Sequence, residues 1–286
     1  MSAAYGAELP GREVVLAAAT AVRAPGRAIG APAPMGAADA YLAAARQLDE
    51  LLGRLSPDEW SRPAHDEIGT VAEVIAHLTG VERLGVAWLL APPDEPLVET
   101  SHLPASRAAM DELAGADGET LRRAWYDAAL QFHAAAVDAD PAKPVLAHDL
   151  PTDPDGLLVL RAFELWAHLL DVCRATGRPA PAVEPARLAL MSTRLMGVLP
   201  IAVALRASPA AGRVRFVLTG PAGGCFDTEV GEDPTATAET TIVADTDAVC
   251  RVAARRLHPW ALAAHVEGDP VLAGQVLDAL DAFARD

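Results

Sequence analysis

Between residues 37 and 177 the apolar residues recur at helical spacing in four long stretches, and after residue 210 the period drops to two. That switch restricts the chain to a helical part followed by a mixed one. In "AADAYLAAARQLDELLGRL", Tyr41, Leu42, Ala45, Leu48, Leu51, Leu52 and Leu55 mark the apolar face of a first helix. "SPDEW" then offers a serine cap with a proline in the first turn. A second helix is expected across "TVAEVIAHLTGVERLGVAWLL", ended by "APPDEP". A third is expected over residues 105–138 with a break allowed at "AGADG", and a fourth across "GLLVLRAFELWAHLLDVCRATG", stopped by Gly177 and Pro179. Four successive helices predict a bundle, in which sites are built from inward residues on facing helices.

In "RVRFVLTG" the alternation of Val214, Phe216 and Leu218 predicts a strand, and "FDTEVG" and "TTIVA" follow as two more. "DTDAVCRVAARR" and "DPVLAGQVLDALDAFA" read as helices, the second capped by Asp269 with Pro270 at its first position. The fold class is therefore multidomain, α followed by α+β. The expected divisions are a disordered tail over 1–35, rich in Ala, Gly and Pro, a four-helix bundle over 36–180, and a small α+β domain over 181–286. A bridging helix over 184–207 fits either half.

With 286 residues, 51% of them hydrophobic, the chain has room for two domains with substantial cores. Its 39 acidic against 23 basic residues give a net charge of -16. The first 35 residues carry three Arg and two Glu, so the acidic part is the folded part. Such a surface repels phosphate backbones and anionic lipid, which argues against nucleic-acid and membrane partners. No uncharged apolar run reaches the ~20 residues of a membrane helix, and the early run "VVLAAATAV" follows Glu8 and Glu13 rather than a basic cluster. A cytoplasmic protein acting as a monomer or homodimer is expected. Cys173, Cys225 and Cys250 are widely spaced, as reduced thiols would be, and form neither a disulfide framework nor a zinc ribbon.

Glu164 and His168 interrupt the apolar run of the fourth helix at a spacing that puts both on one helical face. A second Glu and His at the same spacing, Glu73 and His77, lie on the second helix, whereas chance supplies about half an occurrence in such a chain. Either pair alone would serve equally well as an exposed i,i+4 contact. Glu73 falls near the solvent-side boundary of its helix, and His77 at the edge of the apolar stripe. Two imidazoles and one carboxylate from two facing helices make a three-ligand site with open positions, the arrangement that catalytic zinc favours. His77, Glu164 and His168 are the candidate metal ligands.

"TVAEVIAHLTG", followed about ninety residues later by "RAFELWAHLLDV", resembles the mycothiol-dependent maleylpyruvate isomerase family. The alternating strands and "HVEGDPVLAGQVL" are similar to the second domain of that family. The resemblance implies a DinB-like metal-binding four-helix bundle, a sterol-carrier-like α+β domain, and a divalent metal, usually zinc, on His77, Glu164 and His168. Asp171 matches the family's aspartate. It is expected to orient a ligand from behind or, equally, to pair with Arg174 or Arg161. In place of the Gly-Trp pair that many members carry before the first motif, this chain has "DEIGT" with Ile68 and Gly69, which leaves the substrate's shape open.

The resemblance further implies mycothiol, or another small thiol, as cofactor or co-substrate. In an isomerase its thiolate adds to a cis double bond conjugated to a carbonyl, the bond rotates while single, and elimination gives the trans product. In an S-transferase the adduct stays. A small, carboxylate-bearing electrophile needs a cation, and "CRVAARRLHPW" supplies Arg251, Arg255 and Arg256, of which Arg255 or Arg256 is the expected catalytic arginine. Cys173 points away from Glu164 and is expected to be a core thiol. His65, His102, His133, His148, His258 and His265 have no partner at ligand spacing and are expected to be structural or surface residues. The alternatives are a metal-dependent hydrolase using metal-bound water and a non-catalytic metal- or ligand-binding protein.

Overall fold

Three long helices in the computed structural model, over 71–90, 118–138 and 154–176, start at side-chain caps that the sequence supplies, Thr70, Asp117 and Asp153. The structure describes residues 33–92, 102–147, 150–206, 209–231 and 237–284, so most of the expected tail and His148 lie outside it. Helix α1 spans Ala37–Leu52 and buries Tyr41, Ala45, Leu48 and Leu52. "SPDEW" forms a 3-10 turn, Pro57–Ser61, closed by a reciprocal Ser56 and Glu59 capping box. A short hairpin follows, β1 Pro63–His65 with β2 Gly69–Thr70, and leads into α2, Val71–Leu90. The Thr70 hydroxyl accepts from the Glu73 amide, while the Glu73 carboxylate accepts from the Thr70 amide at 2.7 Å and hydroxyl at 2.8 Å. Gly69 sits at φ 121°, and a Cβ there would lie 2.2 Å from that carboxylate, so the entry to α2 needs glycine.

The expected third helix is two, α3 His102–Glu112 and α4 Gly118–Asp138, broken at "AGADG" where Gly115 takes φ 75° and Asp117 caps α4. Gly80 on α2 lets α3 approach closely, since a Cβ at 80 would meet the Ala105 carbonyl at 2.6 Å. A second hairpin, β3 Val145–Ala147 and β4 Leu150–Thr152, precedes α5, Pro154–Thr176. Helix α5 is capped by Asp153 and ended by Gly177 in the left-handed region. Helices α1, α2, α4 and α5 pack together around Tyr41, Ile75, Trp125, Phe132, Leu157 and Trp166, all 1% exposed or less.

Helix α6, Pro185–Leu205, packs on α5 but also on the elements that follow it. By length and composition alone it could cross a membrane, although nine of its residues, among them Met191, Leu195, Leu199 and Val203, are buried in the fold. The second half is a four-stranded sheet in the order β6-β5-β7-β8. Its strands are β5 Gly212–Thr219, β6 Gly224–Val230, β7 Glu239–Asp245 and β8 His265–Gly268. Strands β5 and β7 run parallel, and the two outer pairings are antiparallel. Val214, Phe216, Leu218, Ile242 and Ala244 face inward. Helices α7, Thr246–Ala253, and α8, Pro270–Ala279, complete this half, α8 beginning at Asp269 and Pro270 as its sequence predicts.

Candidate metal centre

His77 sits two turns into α2, and Glu164 and His168 lie one turn apart on α5. The packing of these helices brings one donor atom from each residue within 4.8 Å of the others. His77 is 2% and His168 1% exposed, while Glu164 is partly exposed. The Nε2 atom of His77 is buried, has no hydrogen-bond partner, and lies 3.7 Å from Oε1 of Glu164. An orphaned imidazole nitrogen is costly in a dry core, and a metal ion satisfies it. Two nitrogens and one carboxylate oxygen suit zinc or a neighbouring divalent metal.

The ring of His168 is oriented from behind. Its Nδ1 lies 3.1 Å from Oδ2 of Asp171, leaving Nε2 as the donor to the site. Burial lowers the His168 pKa and outweighs the opposing pull of Asp171, a shift toward the neutral ring that metal ligation requires. Asp171 is engaged in turn by Arg256, from the turn that follows α7: Nε donates to Oδ1 at 3.1 Å, and Nη2 donates to Oδ2. Burial works to raise the Asp171 pKa, but His168 and Arg256 outweigh it and hold the carboxyl below its usual range. Arg174 stands 3.7 Å from Asp171, whereas Arg161 goes elsewhere. Of the two arginines that the sequence offered, Arg255 turns to Asp281 at 3.4 Å and only Arg256 reaches the site, through Asp171.

Glu164 is gripped by Arg161, whose Nη1 donates to Oε2. Arg161 is fully buried and also donates from Nη2 to Glu82 Oε1 at 3.0 Å and from Nε to Oε2 at 3.5 Å; Glu82 is fully buried as well. Burial works against the Glu164 charge, yet Arg161 and His77 outweigh it and hold its pKa well below the ordinary range. Burial prevails at Glu82, whose pKa is raised despite Arg161. Glu73 does not join the donors, because its carboxylate is spent on the α2 cap.

Two histidines expected to be structural or surface residues stand beside the candidate ligands. The ring of His65 lies 5.7 Å from that of His168, and His102 lies 5.5 Å from His77, both edge to face. Nδ1 of His65 accepts from the Glu67 and Ile68 amides, each at 3.3 Å. No spacing rule marks these residues, because they reach the site from β1 and α3. A cavity of about 460 Å³ opens on His77, lined by Glu67, Ile68, Pro104, Ser106, Arg107 and Met110. Cys173 and Cys250 are buried, and burial raises both thiol pKa values; Cys225 is exposed on β6.

Residues 41–173, which contain all three donors, match the family model described as the mycothiol maleylpyruvate isomerase N-terminal domain. No curated protein matches the chain significantly. Two solved structures are similar: the mycothiol-dependent maleylpyruvate isomerase, at 14% identity, and a histidine-to-alanine variant of that enzyme, at 13%. Each is covered over 91% of its length by 80% of this chain, with a TM-score of 0.57, which establishes a common fold across both halves. The segment 41–173 is thus similar to the mycothiol maleylpyruvate isomerase N-terminal domain, and it holds all three candidate donors.

Proposed function

We propose that the chain is a thiol-dependent isomerase or S-transferase that uses a divalent metal on His77, Glu164 and His168 and acts on a small anionic electrophile. The convergence of these three donors within 4.8 Å, inside the segment that matches the family, carries the reading. A bound divalent cation would supply the positive charge that deprotonates a coordinated thiol at neutral pH. His168 offers a neutral nitrogen whose orientation Asp171 and Arg256 maintain. Glu164 offers Oε1, while Arg161 occupies its other oxygen.

The nucleophile is best supplied from outside. Cys173 and Cys250 are buried with raised pKa values, so neither is a ready thiolate. Mycothiol is the co-substrate that the family's name points to. The cavity beside His77 supports an electrophile with a small apolar body against Ile68, Pro104 and Met110, and an anionic end on Arg107. Arg107 has no ion-pair partner among the described residues, whereas Arg255 and Arg256 are engaged by Asp281 and Asp171. Arg107 is thus the better-placed substrate cation, with Arg256 serving the ligand shell. A division near residue 180 separates the metal-binding half from the half that carries Arg256.

The test is a rate assay for cis–trans isomerisation of maleylpyruvate with and without mycothiol. Turnover should vanish without the thiol and return when it is added. Ester hydrolysis at an equal rate in the absence of any thiol would establish the hydrolase instead.

A further inference from the structure

Glu82 and Arg161 bury two full charges with no exposure to solvent, and neither touches the metal donors' imidazoles. A buried ion pair is weak evidence of stability, because two apolar residues of similar volume usually serve as well. What distinguishes this one is its third member. Arg161 divides its guanidinium between Glu82 on one side and Oε2 of Glu164 on the other, while Oε1 of Glu164 faces His77. Arg161 therefore restrains one oxygen of the candidate ligand and leaves the other.

An arginine in that place carries a penalty for a metal site. A lone guanidinium would neutralise Glu164 and repel a dication a few ångströms away, and in a dry interior that repulsion is poorly screened. Glu82 removes the difficulty by supplying a second carboxylate to the same guanidinium. With Glu82 present the three groups carry one net negative charge, and without it none. Tyr41 on α1 donates its hydroxyl to the Ala129 carbonyl at 3.4 Å, and burial first and Glu82 next raise its pKa.

We propose that Glu82 is a positioning residue for the metal centre: acting through Arg161, it allows Glu164 to be held by one oxygen while keeping its charge for the metal. The inference rests on the metal reading above. It predicts that Glu82 governs metal affinity without touching the ion.

The test uses the full chain stripped of metal and titrated with zinc against a chromophoric chelator. Glu82→Gln should weaken zinc binding by ~10-fold or more, the range seen for groups that support ligands from behind. In an Arg161→Met background the same Glu82→Gln change should alter affinity less than about threefold, because the charge it balances is gone. An equal loss in both backgrounds, or no loss in either, would overturn the proposal. Independently of how the variants fold, the zinc-loaded wild type should show Glu164 bound through one oxygen with Arg161 on the other; bidentate ligation with Arg161 displaced would also overturn it. Failure of the wild type to bind zinc would instead remove the metal reading itself.

Discussion

Arg255 is the described non-glycine residue with a positive φ, at 56°, and replacing it should reverse the usual order of alanine and glycine. It ends α7, where the amides of Arg256 and Leu257 return to the Arg251 carbonyl at 2.8 and 3.1 Å. An L side chain in this left-handed conformation costs ~1–2 kcal/mol, which glycine avoids. Glycine gives back ~0.4–1 kcal/mol through the greater freedom of the unfolded chain. Both replacements lose the ion pair with Asp281, a partly exposed contact at 3.4 Å worth ~0–1 kcal/mol. Arg255→Gly should therefore lie within ~1 kcal/mol of wild type. It should also exceed Arg255→Ala by ~0.5–1 kcal/mol, or about 1–4 °C in midpoint for a chain of this order of size. In an ordinary helix interior alanine leads by ~1 kcal/mol. Parallel thermal and urea denaturation of the two variants decides the matter. Glycine falling below alanine would refute the assignment of strain at this turn. A substrate Michaelis constant raised by Arg255→Gly would restore the side chain as a substrate cation.

Glu73→Gln should leave zinc affinity nearly unchanged, whereas Glu164→Gln should lower it by ~10-fold or more in the same chelator titration; the reverse order would move the carboxylate ligand to α2. Arg107→Ala should raise the Michaelis constant for an anionic electrophile while leaving zinc content intact, and an unchanged constant would transfer that role to another cation. Glu59 has its pKa lowered to about 2, first by the hydrogen bond from Arg178 and next by the Ser56 amide. Its contribution to stability is complete above the ordinary value of 4.5 and is lost as pH falls through about 2. Glu59→Gln should flatten the fall in melting temperature across that window in metal-free protein; an unchanged slope would show that the pair does not act.

Helices α2, α4 and α5 were legible because both periodicity and caps mark them, from Asp153 and Pro154 before α5 to Gly177 after it, whereas α1 was legible from periodicity alone. The hairpins at 63–70 and 145–152 were not, since strands of two or three residues are too short to display a period of two. Strand β8, with four residues, escaped for the same reason. At the site, Glu164 and His168 declared themselves as polar residues in an apolar run. Spacing alone could not rank Glu73 against Glu164; the solvent-side position of Glu73 did, and the Thr70 capping box that consumes its carboxylate gives the physical reason. Glu82 and Arg161, 79 residues apart, become a pair only when α2 and α5 pack. His65, His102 and Arg107 likewise reach the site from elements whose placement no local pattern encodes.

Elemental analysis of protein purified without added metal, wild type beside His168→Ala, tests the central claim most directly. The account predicts close to one divalent ion per wild-type chain, zinc being the expected metal, and a sharp loss in the variant. A wild-type protein that is folded, active and free of metal would contradict it.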